Sequence, residues 1–240
     1  MLLKIVFKRT ILFVVFLSFS VCLTAQKQKP KNASWYDDKI LHFGFSVGFN
    51  AMDFNITPSR ANMNADSLYP EVSILYPGIN IQIISDFKPA EYFDIRFLPG
   101  VSFGQRSVRF YRNQVLQNSD QRLESSFLEF PLLLKYKGIR LNNVRPYLIG
   151  GFNYRYDLAG KKEYDAEKPI YLRLRRSDLY YEFGTGLDFY LQFFKLSVEL
   201  KLSDGLRDVL VHDPASGHPQ YARAIEKMKS QIWVVAFHFE

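Results

Sequence analysis

Residues 91–106, EYFDIRFLPGVSFGQR, alternate with a period of two. Phe93, Ile95, Phe97, Val101 and Phe103 fall on one face, and Asp94, Arg96, Gly100, Ser102 and Gly104 fall on the other. Side chains two apart share a face only in an extended chain, so the stretch predicts a strand. Pro99-Gly100 inside it predicts a bulge, because proline donates no ladder hydrogen bond. The same alternation recurs along the chain. It predicts strands at 42–56, 78–86, 91–106 (reaching toward Tyr111), 127–138, 144–158, 178–190, 194–203 and 232–240. In the first, Phe43, Phe45, Val47 and Phe49 oppose Gly44, Ser46, Gly48 and Asn50, and a phase slip at Ala51-Met52 reads as a bulge or the strand's end.

Eight strands result, and their connections alternate long, short, long, short, long, short, long. Antiparallel outer-membrane barrels have this asymmetry, with long external loops, short periplasmic turns and both termini on one side. A secreted lipocalin-like barrel would turn the apolar face inward instead. Side-chain volume decides between them. Eight strands enclose only enough space for side chains, and eight faces of Phe, Leu, Tyr and Ile would overfill it. The predicted fold class is therefore all-β, an eight-stranded antiparallel transmembrane outer-membrane β-barrel with its small and charged face inside. That face carries Arg96, Glu129, Lys135, Arg145, Arg155, Glu182, Asp188, Glu199 and Lys201. Both signs are present, as buried charge requires, so these nine are expected to form a lumen charge network serving as structural glue. A lumen so crowded argues against a diffusion porin.

The N-terminus changes the picture next. MLLKIVFKR is positive, ILFVVFLSFSVCL is apolar, and Thr24-Ala25-Gln26 offers a small-residue cleavage point. Residues 1–25 read as a secretory signal peptide, 26–41 as a polar, flexible periplasmic lead-in, and 42–240 as the barrel. An uncleaved anchor is the alternative. A lipoprotein would use Cys22, but Phe19, Ser20 and Val21 make a poor lipidation box. No later stretch has the ~18 apolar residues of a transmembrane helix. Lys4, Lys8 and Arg9 leave with the signal, so the net charge of +7 falls to +4. The remaining Lys and Arg are spread rather than clustered, which disfavours nucleic acid. Cys22 is the only cysteine, so the mature chain needs no disulfide or thiol chemistry. The chain ends Phe237-His238-Phe239-Glu240, with its last aromatic one place short of the end where barrel chains often carry it.

Candidate chemistry is sparse. His212-Asp213 and His218 in the last long loop could join a serine as a nucleophilic set at the rim, as in lipid-modifying barrel enzymes. A polar loop with scattered histidines is the simpler reading. No His spacing marks a metal site, and no cofactor is implied. Gly184-Thr185-Gly186 reads as space inside the barrel, not a phosphate loop. Arg173, Arg175 and Arg176 stand near the outer end of the sixth predicted strand. They are expected to contact lipopolysaccharide phosphates, which guanidinium binds bidentately. A solvated loop edge is the alternative.

Five stretches together are similar to one family: HFGFSVGFNAMDF (42–54), PGINIQI (77–83), EYFDIRFLPGVSFGQR (91–106), FLEFPLLLKYKGIRLNNVRPYLIGG (127–151) and YEFGTGLDFYLQFFKLSVELKLSDGL (181–206). On them the chain resembles the PorT (SprT) family of Bacteroidetes outer-membrane proteins, associated with type IX secretion. The resemblance implies an integral, non-enzymatic outer-membrane component needed for cargo export, and for export of adhesins in gliding species. It implies outer-membrane lipid, lipopolysaccharide and other secretion components as partners, and brings no catalytic residues. A structural or adhesive barrel and a lipid-modifying enzyme are the other classes.

Overall fold

The computed structural model describes residues 31–33, 36, 39–59, 68–72, 76–112, 115–116, 121–159, 172–212 and 219–240. Residues 1–25, read as a signal peptide and containing Cys22, the KKEYDAEKP segment, Asp213 and His218 lie outside the described residues. The chain divides after Lys31, and the unit Asn32–Glu240 is the one described below.

Its strands are β1 Leu41–Pro58, β2 Leu68–Val72, β3 Pro77–Phe87, β4 Phe93–Phe97, β5 Gly100–Arg112, β6 Val115–Leu116, β7 Gln121–Lys137, β8 Val144–Asp157, β9 Ser177–Tyr190, β10 Lys195–Gly205 and β11 Ile225–Phe239. A short helix, α1, spans Pro219–Arg223 just before β11. With β4 and β5 forming one stave, eight staves run β1, β3, β4–β5, β7, β8, β9, β10 and β11, each antiparallel to its neighbours. β1 pairs with β11 (Phe45↔Phe239) on one side and with β3 (Phe45↔Ile83) on the other, which closes the ring. Closure leaves no strand edge for lipid to meet. Short turns join β3 to β4, β7 to β8 and β9 to β10, and long connections join the rest. β1 therefore starts, and β11 ends, at the short-turn rim, the periplasmic side in such barrels.

The alternation sorts the side chains as volume requires. Phe43, Phe45, Phe49, Ile81, Ile95, Leu132, Phe152, Phe183 and Val235 stand outward and exposed, while Asn50, Gln82, Arg96, Glu129, Asn153, Glu182 and Glu199 are buried inside. Phe239 also faces out, its ring stacked 4.9 Å from Phe45. The terminal aromatic thus stays on the lipid face, and Glu240 turns inward beyond it.

The bulge expected at Pro99-Gly100 and the bulge or strand end expected at Ala51-Met52 are both absent. Phe97 pairs with Ser85 and Leu132, and Gly100 pairs with Gln82 and Glu129, which is one continuous register across Pro99. The Pro99 carbonyl accepts from Ile83 N–H, and Leu98 N–H donates to the Pro131 carbonyl. Pro99 and Pro131, having no N–H, take part in the ladder only as acceptors. At Ala51-Met52 the ladder to β11 also runs on, and the register shifts only at Thr57/Pro58. What changes there is the environment. Met52 and Phe54 point inward and are buried, while Asp53 and Asn55 face out. The strand has left the lipid belt, so outside becomes polar and inside becomes apolar.

Above that level the barrel wall continues and is capped. Phe54, Val108, Phe110, Leu172, Leu210, Tyr221, Ile225 and Met228 form an apolar cluster over the long-loop mouth. β2 adds to β5 at this level, and β6 pairs with the end of β5. β7 and β11 begin earlier than their alternation predicts, at Gln121 and Ile225.

Inward glycines set the wall's closest approaches. A Cβ on Gly186 would strike the Tyr147 ring, which a hydrogen bond to Glu199 holds in place. Gly150 faces lipid, and its Cβ would meet nothing nearer than 3.9 Å. Gly186→Ala is expected to destabilise the barrel by roughly 1–3 kcal/mol through overpacking, and Gly150→Ala to leave it nearly unchanged. Urea unfolding in vesicles, followed by Trp233 fluorescence, reads the difference.

Candidate functional site

The lumen is the most heavily built part of the molecule. Its middle layer centres on Glu129 of β7, Arg155 of β8 and Glu182 of β9, all inward by strand parity. Glu129 accepts from Gln82 Nε2 at 2.7 Å, Ser102 Oγ at 2.8 Å and Arg155 Nε at 2.8 Å. Arg155 reaches on to Glu182 at 3.0 Å, and its guanidinium lies 4.4 Å over the Tyr180 ring. Glu182 also accepts from Asn153 Nδ2, Ser203 Oγ and, at 2.9 Å, Lys201 Nζ. Carboxylates accept several donors at once, and charge-assisted bonds are about twice as strong as neutral ones. That is how four ionised groups remain in so dry a place.

A second layer lies toward the short turns. Lys135 Nζ donates to both oxygens of Asp188, at 2.9 and 2.8 Å, and sits 3.8 Å over the Tyr147 ring. Tyr147 donates to Glu199, and His238 Nε2 lies 3.3 Å from the same carboxylate. Arg96 bridges Asp86 and Glu240, each at 2.8 Å, with Glu199 at 3.8 Å. Arg145 is placed at the short-turn rim, where its guanidinium donates to the carbonyls of Gly138 and Glu91.

Asp86, Asp94, Lys137, Lys195 and Glu240 belong to this interior too, although the sequence reading had not included them. Lys137 pairs with Asp94, and Lys195 with Glu240 at 2.6 Å. Strand parity could have found all five, Glu240 included, because it ends the predicted strand 232–240 on the face opposite Phe237 and Phe239.

Tyr36 packs into the periplasmic mouth. Tyr36 is buried, stacks on His42 at 3.8 Å, donates its hydroxyl to Glu240 and accepts from Lys195 Nζ at 2.7 Å. Burial pushes the Tyr36 phenol well above its ordinary value. Asn32 N–H donates to Asn143 Oδ1, and Arg140 donates to the Asn32 carbonyl while covering the Tyr190 ring. The described part of the lead-in is therefore seated rather than loose. A stretch read as polar hid one aromatic anchor.

His212 stands half out of the last long connection, its Nε2 3.0 Å from the Ile225 carbonyl. Among the described residues no His, Cys, Asp and Glu grouping could hold a metal ion, and no helix is long and apolar enough to cross a membrane. The three candidate arginines do converge. Arg173, Arg175 and Arg176 line one groove with Arg207, which the sequence did not single out.

A closed eight-stranded barrel with an apolar outer belt is an integral outer-membrane protein. The chain belongs to the family described as outer membrane protein beta-barrel domain, which matches residues 24–211. Among solved structures it is similar to the outer membrane protein OprG from Pseudomonas aeruginosa, at 15% identity over 82% of this chain and 93% of that one, with a TM-score of 0.48. It is also similar to AlkL in lipid bilayers, at 12% identity over 90% and 94% of the two chains, TM-score 0.42. Ail, the attachment invasion locus protein of Yersinia pestis, is similar at 12% identity over 82% and 96%, TM-score 0.36. No curated protein matches the sequence.

Glu182→Leu takes the paired carboxylate from Lys201 and leaves Arg155 with Glu129 alone. It is expected to cost about 3–5 kcal/mol, the range for breaking a buried pair from one side. The urea midpoint of the refolded protein checks this. An unchanged midpoint would mean that the layer carries no stability.

Proposed function

We propose that this barrel is a non-enzymatic outer-membrane component required for protein export by type IX secretion, and for export of surface adhesins where cells glide. One observation carries the reading: the lumen is filled and both of its mouths are covered. Charged layers occupy its centre, Tyr36 sits in the short-turn mouth and an apolar cluster covers the long-loop mouth. A barrel built this way works through its surfaces, as an assembly or docking part.

The resemblance to the PorT family supports the choice of pathway. Its stretches fall on β1, β3, β4, β5, β7, β8, β9 and β10 and include the short turns 138–143 and 191–194. Those turns adjoin, since Tyr190 N–H donates to the Asn143 carbonyl at 2.8 Å. They present exposed apolar residues, Ile139, Leu141 and Phe193, the last 86% exposed. Large exposed apolar groups at a rim mark contact sites, and a periplasmic component of the secretion machinery is the partner this surface fits.

The culture-medium proteome of a deletion strain, with and without the restored gene, tests the reading. Secreted cargo is expected to stay with the cells and to be released on restoration. Normal release without the gene would overturn the export role and leave a structural or adhesive barrel.

A further inference from the structure

Arg106 is the exception to the charge pairing of the lumen. Arg96, Lys135, Lys137, Arg155, Lys195 and Lys201 each meet a carboxylate. Arg106, inward on β5 and only 3% exposed, meets none among the described residues. It reaches across the barrel instead. Its Nη1 donates to Ser230 Oγ of β11 at 2.8 Å, and its Nη2 donates to Ser125 Oγ of β7 at 2.9 Å. The Phe54 and Phe127 ring centres lie 4.4 and 5.1 Å from its guanidinium carbon. Hydroxyls and ring faces attract a cation, but neither carries a negative charge. The third donor edge, at Nε, is buried and has no partner among the described residues.

The acids that act on Arg106 from a distance are engaged elsewhere. Asp157 accepts the N–H groups of Ser126 and Ala159, and Asp53, on the outer face, accepts that of Phe54. Asp178 accepts the N–H groups of Leu179 and Arg207 and packs its other oxygen against Gly205. Arg155 adds a like charge to the same field. An uncompensated buried ion costs several kcal/mol, and buried charges are paired for that reason. Arg106 cannot escape by turning out. Ser102, four residues earlier on the same face of β5, is bonded to Glu129, so the register that seats the charged layer also holds Arg106 inside. Met52, Phe127, Tyr180 and Ile232 pack together at this level. The missing charge must therefore come in a small body, and a single one matches a single guanidinium. A halide ion has both properties.

We propose that the lumen binds one chloride ion beside Arg106, with the Nε–H as its donor. The ion gives Arg106 the negative charge that Glu129 and Glu182 give Arg155, and it is taken up as the barrel folds. The site belongs to the interior of the barrel and does not depend on a secretion role.

The test uses the full-length mature protein refolded into vesicles. Equilibrium urea unfolding is followed at constant ionic strength while sodium chloride replaces sodium gluconate, whose anion is too large for the site. Release of one anion on unfolding raises the folded-to-unfolded ratio by up to about tenfold for each tenfold rise in chloride. Wild type is expected to show that dependence, with bromide acting as chloride does, and Arg106→Gln is expected to lose it. Crystals of wild-type protein refolded in bromide should show an anomalous-scattering peak beside Arg106 Nε, and this measurement serves if the variant does not fold. A wild-type stability that ignores chloride overturns the proposal, and so does a chloride dependence that Arg106→Gln keeps in full. Bromide crystals with no anomalous peak at Arg106 overturn it as well, and assign the Nε–H to water.

Discussion

The line of hydrogen bonds and ion pairs from Gln82 through Glu129, Arg155 and Glu182 to Lys201 is the constraint on which the rest of the structure depends. It crosses the lumen and ties β3, β5, β7, β8, β9 and β10 to one another. Each charge is tolerable only because its neighbours are present, since an uncompensated ion in so dry a space costs several kcal/mol. The ring must therefore close in one register to bring them together. A slip of one residue would send every charge to the lipid face and every phenylalanine into the lumen. The outer belt gives the barrel its place in the membrane, and the inner network fixes its register.

The second charged layer carries that logic to the chain ends. Glu240, the last residue, meets Arg96, Lys195 and Tyr36, so the end of β11, the start of β10, β4 and the lead-in converge on one carboxylate. Phe239 keeps its place in the lipid-facing stack with Phe45, and Glu240 adds an inward group that the network uses. With the lead-in seated below and the apolar cluster above, the surfaces left for function are the short turns, the long connections and the outer wall.

Much of the fold was legible in the sequence, because lipid and lumen impose opposite chemistry on alternate residues. The eight staves, the long and short connections and the inward face all follow from parity. Pro99 misled because proline inside an alternating run predicts a bulge. Here the Pro99 carbonyl still accepts from Ile83 N–H and the register passes through. The phase slip at Met52 misled for a different reason. Alternation reports membrane only within the belt, and beyond it the inside is apolar, so the outer ends of β7 and β11 and the additions β2, β6 and α1 read as loop. Parity gives the side of the wall but not the height. For Arg145, parity gave a face but no sign that the residue stands at the rim bonding carbonyls. Tyr36 and Arg207 lie outside any predicted strand, and only tertiary packing brings them to their neighbours.

Electrical recording of the refolded protein in planar bilayers tests the central claim, a lumen closed by its own charges, most directly. Insertion without any stepwise conductance above the lipid baseline is the expected result. Discrete, ohmic steps from the wild-type protein would mean that water and ions pass between the layers, and would contradict the account of the lumen as a filled, register-fixing core.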